Sequence, residues 1–192
     1  MSPGYHLNGF LAMQINEAAL SSTPRKTIDG DVYVPSLLNH LSNGLSTGAS
    51  RTYLKYFGVG INDWRVMSAL VNHPRATAKR VSEVLGINKA IISRCVGVLE
   101  SKRLLKVNTE VRQRPLELTT KGYELHDRII EVALERERRL MHGFSAKEIT
   151  QLLDYLRRMY SNLPVTNDFD PEDDQGRSPT TGAVRFPWKP ES

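Results

Sequence analysis

Several features that define common protein classes are missing from this sequence. It has one cysteine, Cys95, among 192 residues, so no internal disulfide can form and a reducing compartment is expected. No apolar run approaches the ~20 residues that a membrane-spanning helix needs. The short apolar patch near the N-terminus follows no Lys or Arg, which is atypical of a signal peptide. We therefore expect a cytoplasmic protein with no membrane partner.

The residue patterns that carry most catalytic and cofactor chemistry are also missing. The sequence has no glycine-rich phosphate loop, nucleophile elbow or zinc-hydrolase motif. A metal site usually requires closely spaced His or Cys ligands. The histidines of this sequence include no pair at i+3 or i+4 and have no cysteine cluster beside them. These absences favour a protein that is not an enzyme and that uses no metal or cofactor.

Positive charge, in contrast, is abundant and concentrated in one segment. The 26 Lys and Arg residues exceed the 21 Asp and Glu residues by 5, and residues 61–119 alone hold 11 of these cations against 5 acids, a net +6. The rest of the chain therefore sums to −1. A nearly neutral body with one cationic module is typical of a protein that binds the phosphate backbone of DNA.

The same segment has the pattern of a winged helix–turn–helix. Thr77 can cap a helix over 78–85 that Gly86 ends, and Asn88 can cap a second helix that runs to about residue 102. This second helix has an apolar stripe made of Ile92, Val96 and Leu99. Two extended pieces, 104–107 and 115–118, flank a charged hairpin and predict a β wing.

Helical patterns lie on both sides of this module. Residues 35–56 and 63–71 have helical apolar spacing, and a long helix follows from Thr119 to about residue 142. Its stripe is too long to be buried within one small module, and it consists of Leu125, Ile129, Val132, Arg136 and Leu140. Ser145 and Glu148 form the capping box of a final helix. Composition predicts a flexible arm over 1–33 and a disordered tail, without packed structure, over 164–192.

Candidate DNA contacts lie on the exposed face of the second helix of the module. Near its N-terminus this face has small, polar and cationic side chains that suit insertion into a major groove, namely Lys89, Ala90, Ser93 and Arg94. Lys79 and Arg80, at the start of the first helix, and Arg114 in the hairpin are candidates for phosphate contacts. The alternative is a face that is charged only for solubility.

The order of these elements resembles the MarR family of bacterial transcriptional regulators. Four local matches support the resemblance: Asp63-Trp64-Arg65-Val66-Met67 is similar to the family's second helix, residues 88–104 to its recognition helix, Glu110-Val111-Arg112 to the Asp-x-Arg of its wing, and Leu118-Thr119-Thr120-Lys121-Gly122 to the Leu-Thr-x-x-Gly that starts its long helix. Arg103 stands where the family's recognition helix usually ends in glycine, and an arginine disfavours the left-handed conformation.

The resemblance implies a mainly α fold with a small β wing, in which a winged helix–turn–helix domain is joined to a helical dimerisation region. We expect a MarR-like domain over 34–163. Within it, helices over 34–57 and 119–163 would pair two copies of the chain, and residues 61–118 would bind DNA.

The resemblance also implies a function. The protein would be a homodimeric repressor that binds a pseudo-palindromic operator in double-stranded DNA and is released by a small aromatic or phenolic acid. Arg112 would enter the minor groove, with Glu110 orienting it. Candidates for the effector pocket lie near the place where the family holds aromatic acids: His40, Arg51, Trp64 and Arg65. Two alternatives stay open, a thiol-redox regulator that uses Cys95 and a winged-helix module that binds protein.

Overall fold

The structure is a computed structural model in which residues 26–172 are described. Most of the expected arm over 1–33, and most of the expected tail over 164–192, therefore lie outside the described residues. Eight elements follow in order: α1 Val34–Phe57, α2 Ile61–Asn72, α3 Ala78–Leu85, α4 Lys89–Ser101, β1 Leu105–Val107, β2 Leu116–Leu118, α5 Thr120–Leu140 and α6 Ala146–Asn167. Within the described range, none of these helices combines the length and apolar character that crossing a membrane requires.

The chain divides into two units, Met1–Gly44 and Leu45–Ser192. The described part of the first unit is a turn followed by the first half of α1. In the turn, the Tyr33 amide donates a hydrogen bond to the Asp29 carbonyl at 3.0 Å. Several apolar side chains of this half-helix are exposed, namely Leu37, Leu38 and Leu41.

The core of the second unit is built around α2. Val66, Met67 and Ala69 have no exposed surface, and the helix packs against α3, α4, α5 and β2. Burying several large side chains from one short helix provides much of the hydrophobic stabilisation of a small domain. Helix α2 therefore connects the candidate DNA-binding helix α4 with the long helix α5.

The two helices of the predicted helix–turn–helix begin and end at the residues that the sequence indicates. Thr77 Oγ1 accepts a hydrogen bond from the Arg80 amide at 3.2 Å, and Gly86 ends α3 in the left-handed conformation with φ +62°. Asn88 Oδ1 accepts a hydrogen bond from the Ala90 amide at 2.8 Å and so caps α4. These contacts satisfy backbone groups that a helix end leaves unpaired. Both predicted helices are confirmed.

The wing is a two-stranded antiparallel hairpin in which Leu105 pairs with Leu118. Leu105 and Leu116 are each 2% exposed, so one face of the hairpin belongs to the core. The Leu116 amide donates to the Ala76 carbonyl at 3.0 Å, which ties the wing to the loop before α3. The predicted wing is confirmed, with strands one residue shorter than the predicted pieces.

Helix α6 begins as the sequence predicts but does not end as expected. Ser145 Oγ accepts from the Glu148 amide at 3.3 Å, and the Ser145 amide donates to Glu148 Oε2 at 2.7 Å, which confirms the capping box. The helix then continues through Pro164 to Asn167, past the expected boundary at residue 163, but none of residues 165–167 is buried, so the absence of packed structure after Pro164 stays a prediction. Proline removes only its own N–H bond, and its carbonyl still accepts from the Asp168 amide at 2.9 Å.

Candidate functional site

The end of α4 is fixed by a tight backbone turn that contains Arg103. The Arg103 amide donates to the Glu100 carbonyl at 2.8 Å, and the Leu104 amide donates to the Leu99 carbonyl at 2.9 Å. This pair of bonds is a Schellman motif, which requires a left-handed residue after the cap. Arg103 supplies it with φ +58°, although its Cβ makes this conformation unfavourable. The arginine therefore adopts the conformation for which glycine is preferred.

The start of α5 is locked onto this turn by Thr119 and Gly122. Thr119 Oγ1 donates to the Arg103 carbonyl at 2.8 Å and accepts from the Gly122 amide at 3.1 Å. A Cβ on Gly122 would overlap the carbonyl oxygen of Leu104, so only glycine allows this close approach. The Leu-Thr-x-x-Gly motif thus acts as a clamp between the C-terminus of α4 and the N-terminus of α5.

The clamp leaves one face of α4 open to solvent, and this face has the predicted residues. Its exposed side chains are Lys89, Ala90, Ser93 and Arg94, whereas Ile92, Cys95 and Leu99 are buried on the opposite side. Positions i, i+1, i+4 and i+5 share one side of a helix. Within residues 26–172, neither Lys89 nor Arg94 has a carboxylate partner within 4.0 Å. The face therefore offers uncompensated positive charge.

The turn of the wing presents Arg112 and Arg114 to solvent. It is held by the Arg114 amide, which donates to the Val111 carbonyl at 2.8 Å, and by Asn108 Oδ1, which accepts from the Glu110 amide at 3.1 Å. The expected pairing of Glu110 with Arg112 is absent from the described structure. The turn is therefore held by one backbone bond and by the Asn108 side chain, and the Glu110 carboxylate takes part in neither bond.

The base of the wing, in contrast, is tied by an ion-pair cluster that the sequence analysis did not identify. Glu117 accepts from Lys106 Nζ at 3.0 Å, and Arg75 Nε lies 3.6 Å from the same carboxylate. The hydrogen bond from Lys106, with the positive charge of both cations, lowers the pKa of Glu117. Because the cross-strand register sets Lys106 opposite Glu117, this pair could be found once the wing strands were aligned.

Two of the predicted phosphate contacts, Lys79 and Arg80, share an acidic neighbour. Lys79 Nζ and Arg80 Nη1 each lie 3.9 Å from a carboxylate oxygen of Glu83 one turn further along α3. Such exposed pairs are weak and are screened by salt. Both cations lie in the first turn of α3. A DNA phosphate could therefore displace the Glu83 carboxylate from them.

A cavity of ≈ 720 Å³ lies between α1, α2 and α5 in the second unit. Its walls are mostly apolar and aromatic, and they include Ala49, Tyr53, Ile61, Trp64, Ile130 and Leu134. The Tyr53 and Trp64 rings lie 5.6 Å apart, centroid to centroid. The indole N–H of Trp64 is buried and has no hydrogen-bond partner in the described structure. An apolar cavity of this size with few polar groups is typical of a small-molecule site.

Two half-buried guanidinium groups line this cavity. Arg65 donates to Ser46 Oγ at 3.0 Å and to Asn62 Oδ1 at 3.1 Å, and Arg136 donates to the Leu45 carbonyl at 3.1 Å. All of these acceptors are neutral. Burial lowers the pKa of Arg65 and raises that of Tyr53, an effect on Tyr53 that the charges of Arg136 and Arg65 partly offset. The cavity therefore combines an apolar body with positive charge that has been partly removed from water.

The structure brings together only part of the predicted effector set. Trp64 and Arg65 line the cavity, whereas Arg51 is exposed and is not among its lining residues. His40 belongs to the first unit and is exposed. Sequence reasoning missed Tyr53 and Arg136 as cavity residues. For Arg136 a signal existed, since it was the one arginine on the apolar stripe of the long helix.

The thiol of Cys95 is poorly placed for redox chemistry. Its side chain is buried on α4, and burial, with a hydrogen bond to Asp63, raises the pKa of Cys95 to about 12. The thiolate is the reactive form of cysteine, and almost none of the Cys95 thiol is ionised at neutral pH. The geometry therefore disfavours the alternative of a thiol-redox regulator.

Comparison with known proteins gives matches among solved structures. No family model and no curated protein matches the chain. The chain is 31% identical to a MarR/EmrR family transcriptional regulator from Acinetobacter sp. ADP1, with a TM-score of 0.67, and the match covers 71% of this chain and 99% of that one.

Two more distant structures show the same fold. The first is S. aureus MepR in complex with DNA, which is 22% identical with a TM-score of 0.61 over 70% of this chain and 99% of that one. The second is the PcaV transcriptional regulator from Streptomyces coelicolor in complex with its natural ligand, which is 21% identical with a TM-score of 0.61 over 71% of this chain and 97% of that one.

Proposed function

Because this chain belongs to the MarR family of transcriptional regulators, we propose that it is a sequence-specific DNA-binding repressor. In this proposal it acts as a homodimer and is released from its operator by a small aromatic or phenolic acid. The chain would therefore work by binding and not as an enzyme. The observation that carries the proposal is the exposed face of α4, whose cations have no acidic partner in the described structure, on a fold that MepR uses in a complex with DNA.

The contacts with DNA would be divided between α4 and the wing. Ser93 and Arg94 would reach base edges in the major groove, because an arginine can bond guanine bidentately. Lys89, Lys79, Arg80 and Arg114 would neutralise phosphates, and Ala90 would allow the helix to approach the bases closely. Arg112 at the tip of the wing would enter the neighbouring minor groove. In a two-fold dimer, the two α4 helices would meet half-sites about one helical turn apart, ~10 bp.

Self-association is supported by helix α6, which has no buried residue. Apolar side chains nevertheless recur along it at helical spacing, among them Leu152, Leu153, Leu156, Met159 and Leu163. Among the described residues this helix is at most partly buried, as at Leu152 and Met159; it therefore gains little stability from packing, and its apolar face is the kind of surface that a partner covers. A second copy of the chain offers the same self-complementary surface. The exposed leucines on the first half of α1 are available for the same purpose.

A carboxylate ligand fits the charges of the cavity between α1, α2 and α5. Among the described residues, Arg65 and Arg136 donate only to neutral acceptors there, and with Glu137 also in the lining the net charge is +1. An arginine gains most from a carboxylate that it can bind bidentately. An aromatic ring would pack against the wall that Tyr53 and Trp64 form. Helix α2 forms a wall of the cavity and also packs against α4. A ligand in the cavity can therefore favour a dimer in which the distance between the two α4 helices does not match the operator half-sites. A preference of about 2 kcal/mol for that dimer weakens operator binding about thirtyfold.

The DNA contacts can be tested by charge removal against a matched control. A duplex is first selected by the wild-type protein from a random library, and its affinity for Arg94→Ala, Arg112→Ala and Lys147→Ala is measured across a salt series. Lys147 is an exposed lysine on α6, outside the proposed interface. We expect each arginine variant to lose about 1–3 kcal/mol of specific affinity per altered base contact. Lys89→Ala, which would remove one proposed phosphate contact from each chain of the dimer, should instead lower the salt slope by about 2. Equal affinity for all three variants would refute these contacts, and failure of the wild type to select any duplex would favour the protein-binding module.

The effector site can be tested with benzoate and 4-hydroxybenzoate. We expect both acids to raise the melting temperature of the wild type and of Arg51→Gln, since a ligand at 100 times its Kd adds about 2.7 kcal/mol. Arg65→Gln and Arg136→Gln should lose most of this response, and the acids should release selected duplex only from the responsive proteins. A response that disappears in Arg51→Gln but persists in the other two variants would refute this assignment of the pocket.

A further inference from the structure

A second cavity of ≈ 430 Å³ lies in the second unit beside the clamp that joins α4 to α5. Phe57 at the end of α1, Leu104 after α4 and Leu125 on α5 form its apolar wall. The exposed side chains of Lys102, Lys121 and Arg128 supply positive charge at its rim, from the chain on either side of the clamp. None of the residues that line the larger cavity takes part. The two cavities are therefore separate.

The cations of this second cavity lack acidic partners. Lys121 Nζ donates to the Lys102 carbonyl at 3.3 Å, and the Arg128 guanidinium lies over the Phe57 ring at 5.4 Å from its centroid. In the part of the chain that the structure describes, neither lysine nor Arg128 has a carboxylate oxygen within 4.0 Å. Glu124 also lines the cavity, so three positive charges face one negative charge and the net charge is +2.

The field of α5 adds to this positive charge. Helix α5 is 21 residues long and starts at Thr120 with no acidic residue in its first turn, although the N-terminus of a helix favours negative charge. Lys121 occupies this first turn instead. A side chain of the wrong sign at a helix N-terminus, with two further cations across an apolar wall, leaves a local field that a bound anion would neutralise.

We propose that this cavity is a second binding site, for a small organic anion with a flat apolar body such as an aromatic carboxylate. The carboxylate would lie among Lys102, Lys121 and Arg128, and the ring would lie on Leu104, Leu125 and the Phe57 edge. Its volume is within the range of small-molecule sites, and the contact with the Phe57 ring places the Arg128 guanidinium beside the apolar wall. The proposal does not depend on the larger cavity holding an effector.

Occupation of this site would act on the clamp. Lys102 is the C-cap residue of α4, and the carbonyl of the next residue, Arg103, accepts from Thr119. An anion held by Lys102 and Lys121 together would add a link between the end of α4 and the start of α5. It would thereby restrict the orientation of α4 relative to α5.

The test uses 1-naphthoate and its neutral analogue 1-naphthamide on the full chain in the Arg65→Gln/Arg136→Gln background, which disables the larger cavity. Binding is followed by ¹⁵N–¹H amide shifts, and the dispersion of the spectrum shows that each variant is folded. We expect naphthoate to move the amides of Lys102, Leu104, Lys121 and Leu125, and naphthamide to bind at least about tenfold more weakly. Adding Lys121→Gln and Arg128→Gln should weaken naphthoate at least about tenfold, as expected for the loss of a charge-assisted bond. The exposed control Lys147→Gln should not change it.

Three results would overturn the proposal. The first is a naphthoate response that leaves these amides unmoved, and the second is equal binding of naphthoate and naphthamide. The third combines two measurements on Lys121→Gln/Arg128→Gln: duplex affinity in the wild-type background without ligand, and naphthoate affinity in the Arg65→Gln/Arg136→Gln background. If duplex affinity falls while naphthoate affinity is unchanged, these cations contact phosphate and do not form a small-molecule site.

Discussion

Replacing Gly122 by alanine tests whether the clamp between α4 and α5 is as tight as the structure shows. The added Cβ would overlap the Leu104 carbonyl oxygen, a backbone atom that no rotamer change can move away. Overpacking of this kind costs about 3 kcal/mol, the upper part of the usual range. Loss of the hydrogen bond from the Thr119 amide to the same carbonyl, 3.1 Å long, costs about 1 kcal/mol more. Alanine recovers about 1 kcal/mol of helix propensity. The net expectation is a loss of about 3 kcal/mol.

The matched control is Gly97→Ala on α4, where an added Cβ would meet no atom within 4 Å. This variant should be more stable than wild type by about 0.5–1 kcal/mol. Urea and thermal unfolding followed by circular dichroism, at one fixed protein concentration, measure both changes. For a chain of this size, the Gly122→Ala loss corresponds to a fall of about 6–12 °C in Tm. If Gly122→Ala and Gly97→Ala were equally stable, the close approach at the clamp would be refuted.

Three further expectations follow from the same structure. Arg103→Gly should raise the free energy of unfolding by about 0.5–1 kcal/mol in urea titrations, because relief of the left-handed strain outweighs the entropy cost of glycine; a destabilised variant would contradict the left-handed turn. Cys95 should react with iodoacetamide at pH 8 about a thousandfold more slowly in the folded than in the urea-unfolded protein. The reason is that its pKa of about 12 lies far above the ordinary value of 9.0, so little thiolate is present. Similar rates in the two states would show an accessible thiol. In carboxyl ¹³C titrations, the pKa of Glu117 should lie below its ordinary value of 4.5 and should return towards that value in Lys106→Gln. The ion pair therefore contributes to the free energy of unfolding above pH 4.5, and this contribution is lost as acid protonates the carboxylate. An unchanged titration in the variant would exclude Lys106 as the main cause.

The elements of the helix–turn–helix could be predicted because each is ended by local chemistry. Thr77, Gly86 and Asn88 act on backbone groups within four residues of themselves, so predicting these helix ends requires no knowledge of the rest of the fold. The capping box at Ser145 is local in the same sense. Pro164 shows the limit of such reasoning, since a proline near the end of a helix removes one bond without forcing the helix to stop.

The candidate sites were harder to predict because they depend on contacts between distant segments. Arg65 and Arg136 share a cavity only because α2 packs against α5. The sequence around either residue contains no signal that the other lies beside it. Arg51 has the same residue type as Arg65 but faces solvent, a difference that helical spacing alone did not reveal. The reason for glycine at position 122 is likewise tertiary, since the obstacle is the backbone of Leu104.

The central claim is that two copies of this chain associate and place the α4 faces and wings along one DNA duplex. Sedimentation velocity of the full chain near physiological salt, alone and with the selected duplex, tests it most directly. We expect two chains per particle without DNA and two chains per duplex with it. Single chains in both samples, with the duplex sedimenting as if it were free, would contradict the claim.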